Sequence, residues 1–153
     1  MKDLLILTAD KNTQFAIEGL LSRPAALGIG TIQSWEILVH ARRDPAVFRG
    51  SHEFLRPHLR RARYALVVFD REGCGGDKRS REELEGIVQS RLDSNGWHGR
   101  ASVVAIDPEL EAWVWSNSPE VDAALGWGNR NPQLRRIFLP PLSKLVASKH
   151  LIP

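Results

Sequence analysis

The stretch Tyr64-Ala65-Leu66-Val67-Val68-Phe69-Asp70-Arg71-Glu72-Gly73-Cys74-Gly75-Gly76 decides the fold. Ala65 to Phe69 is apolar without polar alternation, the habit of a central parallel strand buried on both faces. The glycines that follow predict a tight turn into a helix. Asp70 and Glu72 stand at i and i+2, so on an extended chain they share a face. At the carboxyl end of a parallel strand that face opens on the crevice where α/β sheets bind ligands. Carboxylate pairs suit Mg²⁺ or Mn²⁺. A polar, solvated turn holding no ligand accounts for the same residues. Cys74, the single cysteine, is expected to be exposed in this turn and incidental rather than nucleophilic.

Upstream, Leu4 to Leu7 predicts a first strand, and Phe15, Ile17, Leu20 and Leu21 a helix as far as Pro24. Trp35 to Val39 predicts a second strand. Ser51 is positioned to cap a following helix, with Pro57 marking a kink or a new start. Downstream, Leu84, Ile87, Val88 and Leu92 form one stripe of a helix over 77–92, ended by Asn95-Gly96. Ala101 to Ile106 predicts a fourth strand. Asp107-Pro108 supplies a helix cap and first turn for 109–115, and Ser118-Pro119 opens another helix through Leu125. Pro132, Pro140 and Pro141 limit the tail to short helices such as 142–149.

Strands alternating with helices imply an α/β domain with right-handed crossovers and a mainly parallel four-stranded sheet. The expected organisation is one domain over 1–128, with 129–153 as a C-terminal extension packed on it. The 153 residues, 42% hydrophobic and 25% charged, suit one globular domain, and no apolar run approaches the roughly 20 residues of a membrane helix. No signal peptide is read at the amino end, and a lone cysteine agrees with a reducing, cytoplasmic setting. The net charge is only +3, yet between Ala41 and Arg63 seven arginines face two acids. Arg42, Arg43, Arg49, Arg60, Arg61 and Arg63 are therefore candidate nucleic-acid ligands through the guanidinium fork, with Arg56 in the same block. A solvated helix face, or a contact with an acidic partner protein, explains the block as well.

Three acidic positions converge at the expected strand ends: Asp10, then Asp70 with Glu72, then Asp107 with Glu109 and Glu111. Here the chain resembles the Toprim family, the α/β domain of topoisomerases, primases and OLD-type nucleases. The likeness is greatest to short stand-alone Toprim-like proteins of bacterial defence loci. The resemblance covers about residues 3 to 127. It rests on Val67-Val-Phe-Asp70-Arg-Glu72-Gly, similar to the family's strand ending in an acidic pair. It rests also on Ile106-Asp-Pro-Glu-Leu-Glu-Ala-Trp113, similar to the Glu-Leu-Trp segment of the RloB-like branch.

The resemblance implies a three-layer, Rossmann-like Toprim fold with extra C-terminal helices. It implies an acid after the first strand that handles protons during phosphodiester cleavage, and a later pair that holds Mg²⁺ or Mn²⁺. Asp10, Asp70 and Glu72 are then the catalytic candidates, with Asp70, Glu72 and Glu109 as metal ligands. Two departures stand out: Asp10 replaces the family's Glu-Gly, while Glu18-Gly19 lies inside a helix, and the pair is Asp-x-Glu in place of Asp-x-Asp. The implied function is a metal-dependent nuclease of an anti-phage defence system. The alternative is a catalytically inactive subunit that binds partner proteins or nucleic acid, alone or as a homo-oligomer. An α/β receiver-type domain ranks third, for want of a lysine at a later strand end.

Other chemistries find less support. His40, His52, His58, His98 and His150 show no zinc spacing. No Gly-x-Ser-x-Gly elbow is present, and no Gly-Lys-Ser or Gly-Lys-Thr follows the glycines. Among the tryptophans, Trp113 is expected in the core, while Trp97, Trp115 and Trp127 are open to core packing, partner contact or base stacking.

Overall fold

The computed structural model describes residues 1–76, 78–108, 110, 119–128 and 130. The chain divides into two units, Met1–Leu110 and Glu111–Pro153, so the boundary expected at 128/129 falls within the second. In the first, β1 (Lys2–Thr8), β2 (Trp35–Val39), β3 (Ala62–Asp70) and β4 (Ala101–Ile106) alternate with α1 (Lys11–Leu21), α2 (Arg43–Leu55) and α3 (Arg81–Leu92). The four strands form one all-parallel sheet in the order β2-β1-β3-β4.

Side-chain alternation sorts the strands onto two cores. Leu5 and Leu7 of β1, Ala65, Val67 and Phe69 of β3, and Ala105 of β4 pack with Val47, Phe48 and Leu55 of α2 and Leu84, Val88 and Leu92 of α3. The opposite parity, Ile6, Val68 and Ile106, packs with Ile17 of α1. The result is a three-layer α/β fold of Rossmann-like form, with α1 on one face and α2 and α3 on the other. The register explains the continuity of the larger core: Leu38, Leu7, Val67 and Val103 stand side by side across all four strands.

Local chemistry moves several boundaries from their sequence-based positions. α2 begins at Arg43, eight residues before Ser51; Ser51 is a buried residue of its interior, with a hydroxyl that has no hydrogen-bond partner. Pro45 is tolerated because it falls in the first turn, where backbone N–H groups have no helical acceptor. Pro57 lies in the 3₁₀ turn Arg56–His58 that follows. α3 starts at Arg81, later than the expected Asp77, because Ser80 and Glu83 form a reciprocal cap. The Ser80 hydroxyl accepts from the Glu83 N–H at 3.2 Å, and the Glu83 carboxylate accepts from the Ser80 N–H at 2.7 Å.

Cys74 is fully buried in the larger core, contrary to the expectation of an exposed turn cysteine. The turn folds inward because Gly76 lets the backbone approach the helices: a Cβ there would stand 2.5 Å from Leu84 and 3.4 Å from Phe48. Trp97 is buried too, with the Arg100 guanidinium 4.9 Å from its ring centroid, which removes it as a stacking platform. Among the described residues no helix is long and apolar enough to cross a membrane. In the second unit a short helix, α4 (Pro119–Ala124), is described, with Arg130 stacked 4.5 Å over Trp127. The expected helices over 109–115 and 142–149, with Trp113 and Trp115, lie outside the described residues apart from Leu110.

Gly19 sits inside α1 with open space where a Cβ would be. Gly19→Ala is expected to stabilise the protein by about 0.5–1 kcal/mol. Leu84→Ala is expected to destabilise it by about 2–5 kcal/mol. Urea unfolding of the two variants checks both signs.

Candidate metal centre

The strand order reverses between β1 and β3. The chain leaves β1 through α1 on one face to reach β2, then crosses through α2 on the other face to reach β3. Connections diverging in this way open a crevice at the carboxyl ends of the two strands, the usual place for a ligand in an open α/β sheet. Three aspartates converge there: Asp10 after β1, Asp44 in the first turn of α2 and Asp70 as the last residue of β3. One carboxylate oxygen from each lies within 4.8 Å of the others, and all three residues are half-buried.

The carboxylates of Asp10 and Asp44 are held by backbone N–H groups. Asp10 caps α1, its Oδ1 accepting from the Thr13 N–H at 2.8 Å. Buried Thr8 steadies the same turn, its hydroxyl donating to the Asp10 carbonyl at 3.2 Å. Asp44 Oδ1 accepts from the Asp70 N–H at 2.7 Å, which ties the start of α2 to the end of β3. Arg43, just before it, takes a left-handed φ of +55° to bring the chain from β2 into the helix. Asp70 shares the parity of Leu66 and Val68, which directs its side chain toward the α1 side of the sheet.

The environment of the group is legible in Asp44. Burial pushes its carboxyl above the ordinary range and the nearby Asp10 charge pushes the same way, against the opposing pull of the Asp70 N–H, its own backbone N–H and Arg43. Lys11, a candidate counter-charge for Asp10, is exposed and makes no ion pair with it among the described residues. Three oxygen donors at this separation match the preference of a hard divalent cation. The donor set therefore fits a metal ion.

Asp10 and Asp70 are thus brought together as the sequence suggested, and Asp44 joins them. Glu72 is not part of the group. The i, i+2 argument required the strand to continue, but β3 stops at Asp70, and Glu72 is exposed in the turn before Gly73, whose φ is +76°. Glu109 and Glu111 lie outside the described residues. Asp107 is engaged elsewhere, paired with Arg71 at 3.4 Å. Arg71 also donates from Nε to the Arg79 carbonyl at 3.1 Å, and so braces the glycine turn.

The arginine block divides between the two ends of the sheet. Arg42, Arg43 and Arg49 belong to the amino-terminal half of α2, at the end that carries the aspartates. Arg61 and Arg63 stand at the start of β3, at the opposite end, where they pair with Glu36 at 3.7 Å and Asp3 at 3.8 Å. Arg60 is exposed beside them. Comparison with known protein families, curated proteins and solved structures finds no match for this chain.

An acid with a raised folded-state pKa contributes stability below its unfolded pKa and loses it as pH rises through the folded value. Asp44→Asn keeps an acceptor for the Asp70 N–H and removes the charge. The variant is expected to be more stable than the parent at neutral pH, with the difference vanishing as pH falls below the carboxylate range. Mn²⁺ is expected to raise the melting temperature of the parent, by the equivalent of about 2.7 kcal/mol at a hundred times its dissociation constant. It should leave Asp44→Asn and Asp70→Asn much less changed. Thermal melts across pH, with and without Mn²⁺, measure both effects.

Proposed function

We propose that the chain is a divalent-metal-dependent phosphodiesterase acting on nucleic acid, of the Toprim-like kind. The observation that carries this reading is the convergence of Asp10, Asp44 and Asp70 at the strand reversal. In it, Asp70 and Asp44 hold Mg²⁺ or Mn²⁺, and Asp10 completes the oxygen cage. A metal bound there supplies Lewis-acid polarisation of a phosphoryl oxygen and lowers the pKa of water.

The protein's own contribution is placement. The Asp70 N–H fixes the rotamer of Asp44, and the cap on α1 fixes Asp10, so neither acid has to reorganise when charge develops. Burial raises the Asp44 pKa in the metal-free protein, and a bound cation would offset that cost by favouring the carboxylate. Arg42 and Arg49, at the same end of the sheet, supply phosphate-directed positive charge. The defence setting follows from the family resemblance alone and belongs to the same proposal.

Mn²⁺-dependent cleavage of labelled single- and double-stranded DNA and RNA tests the reading. Asp70→Ala is expected to reduce cleavage by about a hundredfold or more. Full cleavage by that variant overturns the assigned site. Mn²⁺ binding without cleavage of any substrate favours the inactive, binding subunit.

A further inference from the structure

α2 has an outer face as regular as its buried one. Val47, Phe48, Ser51 and Leu55 point into the core, while Arg42, Ala46, Arg49, Gly50 and Glu53 recur along the opposite stripe. That stripe floors an open cleft of about 620 Å³, within the range of ligand sites. His40 and Phe54 wall it, their ring centroids 4.9 Å apart and tilted by 50°.

Gly50 is the residue that packing does not account for. It lies in the interior of α2, where glycine weakens a helix, and a Cβ built on it meets nothing within 4 Å. A side chain would fit sterically and would favour the helix; its only spatial consequence is to fill the cleft. Beside Gly50 stand two guanidinium groups and two aromatic rings. Arg49 also reaches the loop that follows Asp70: a Cβ on Gly75 would lie 2.8 Å from its Nη2. Arg49 and the turn shared by Arg42 and Asp44 thus link the cleft, on the outer face of α2, to the loops at the carboxyl end of the sheet.

We propose that this cleft seats one nucleotide of a single-stranded nucleic acid, with its phosphate between Arg42 and Arg49 and its base against Phe54 and His40. The inference rests on the nucleic-acid part of the reading above and names the strand state. A paired, stacked base does not expose its face to such rings, whereas an unstacked one does. Glu53 lies one turn beyond Arg49 and repels phosphate, which biases the backbone toward Arg42. His40 Nδ1 accepts from the Arg42 N–H at 3.1 Å, which leaves Nε2 of the neutral ring as a donor. Burial and the Arg42 charge lower the His40 pKa, so the ring is neutral at physiological pH.

The test is fluorescence anisotropy of a short labelled oligothymidylate in EDTA, over a range of salt, with melts to verify folding. Gly50→Gln, which favours the helix and adds no charge, is expected to weaken binding by about tenfold or more. Arg49→Gln should weaken it similarly and flatten the salt dependence by about 0.7 in log–log slope. Phe54→Leu should weaken it about fivefold with the slope retained. Arg61→Gln, at the far end of the sheet, and Gly19→Gln, on α1, should bind as the parent does. Absence of binding, equal affinity for a duplex hairpin, or an Arg61→Gln loss as large as that of Arg49→Gln overturns the proposal. Binding in EDTA that follows this pattern, without cleavage in Mn²⁺, supports the cleft and overturns only the enzyme. Asp70-dependent cleavage untouched by Gly50→Gln overturns the cleft and leaves the enzyme standing.

Discussion

A parallel sheet in the order β2-β1-β3-β4 has to send its two crossovers to opposite faces, α1 to one side and α2 to the other, because β2 and β3 flank β1. The loops that leave β1 and enter α2 are thereby pulled apart above the β1/β3 seam. Backbone N–H groups exposed at that seam need acceptors. Asp10 supplies one to the start of α1, and Asp44 supplies one to the end of β3. The gathering of acids thus begins as a backbone requirement. Its chemical capacity comes from the closeness of one oxygen of each aspartate, Asp70 included, to the others.

Strand identity was legible because the central strands β1 and β3 carry apolar runs buried on both faces, and Ala101–Ile106 and Trp35–Val39 match their expected limits. The start of α2 was not. Ser51 looked like a cap, with Pro57 a kink or a new start, yet the Val47, Phe48 and Leu55 stripe starts the helix earlier by burying its apolar area against β1 and β3. That one misplacement concealed Asp44. With the helix assumed to begin later, Asp44 counted only as one of two acids among seven arginines, whereas in the first turn after a parallel strand it stands at the carboxyl edge with the others. Glu72 failed for the complementary reason: strand parity was extended past the end of the strand, into a turn where it has no meaning.

The basic block shows why charge counted along a sequence is a weak guide to a surface. Seven arginines within one short segment are carried by a helix about 20 Å long and by the start of the next strand, so the segment spans the height of the sheet. Arg61 and Arg63 are spent on Glu36 and Asp3 at the amino edge. Exposed pairs of that kind contribute little stability, and they also cancel local potential. What positive charge remains near the aspartates is the α2 share, Arg42, Arg43 and Arg49.

Placing that share beside three acids has an electrostatic logic. A phosphate approaching Asp10, Asp44 and Asp70 alone meets repulsion, and the Asp10 charge adds to the burial that raises the Asp44 pKa. A divalent cation reverses the sign at the centre, and guanidinium groups one helical turn away extend the attraction beyond it. The left-handed Arg43 fits the same account. An L-residue takes φ of +55° at some energetic disadvantage, and here the bend brings Asp44 onto the Asp70 amide while Arg42 and Arg49 face the outer cleft.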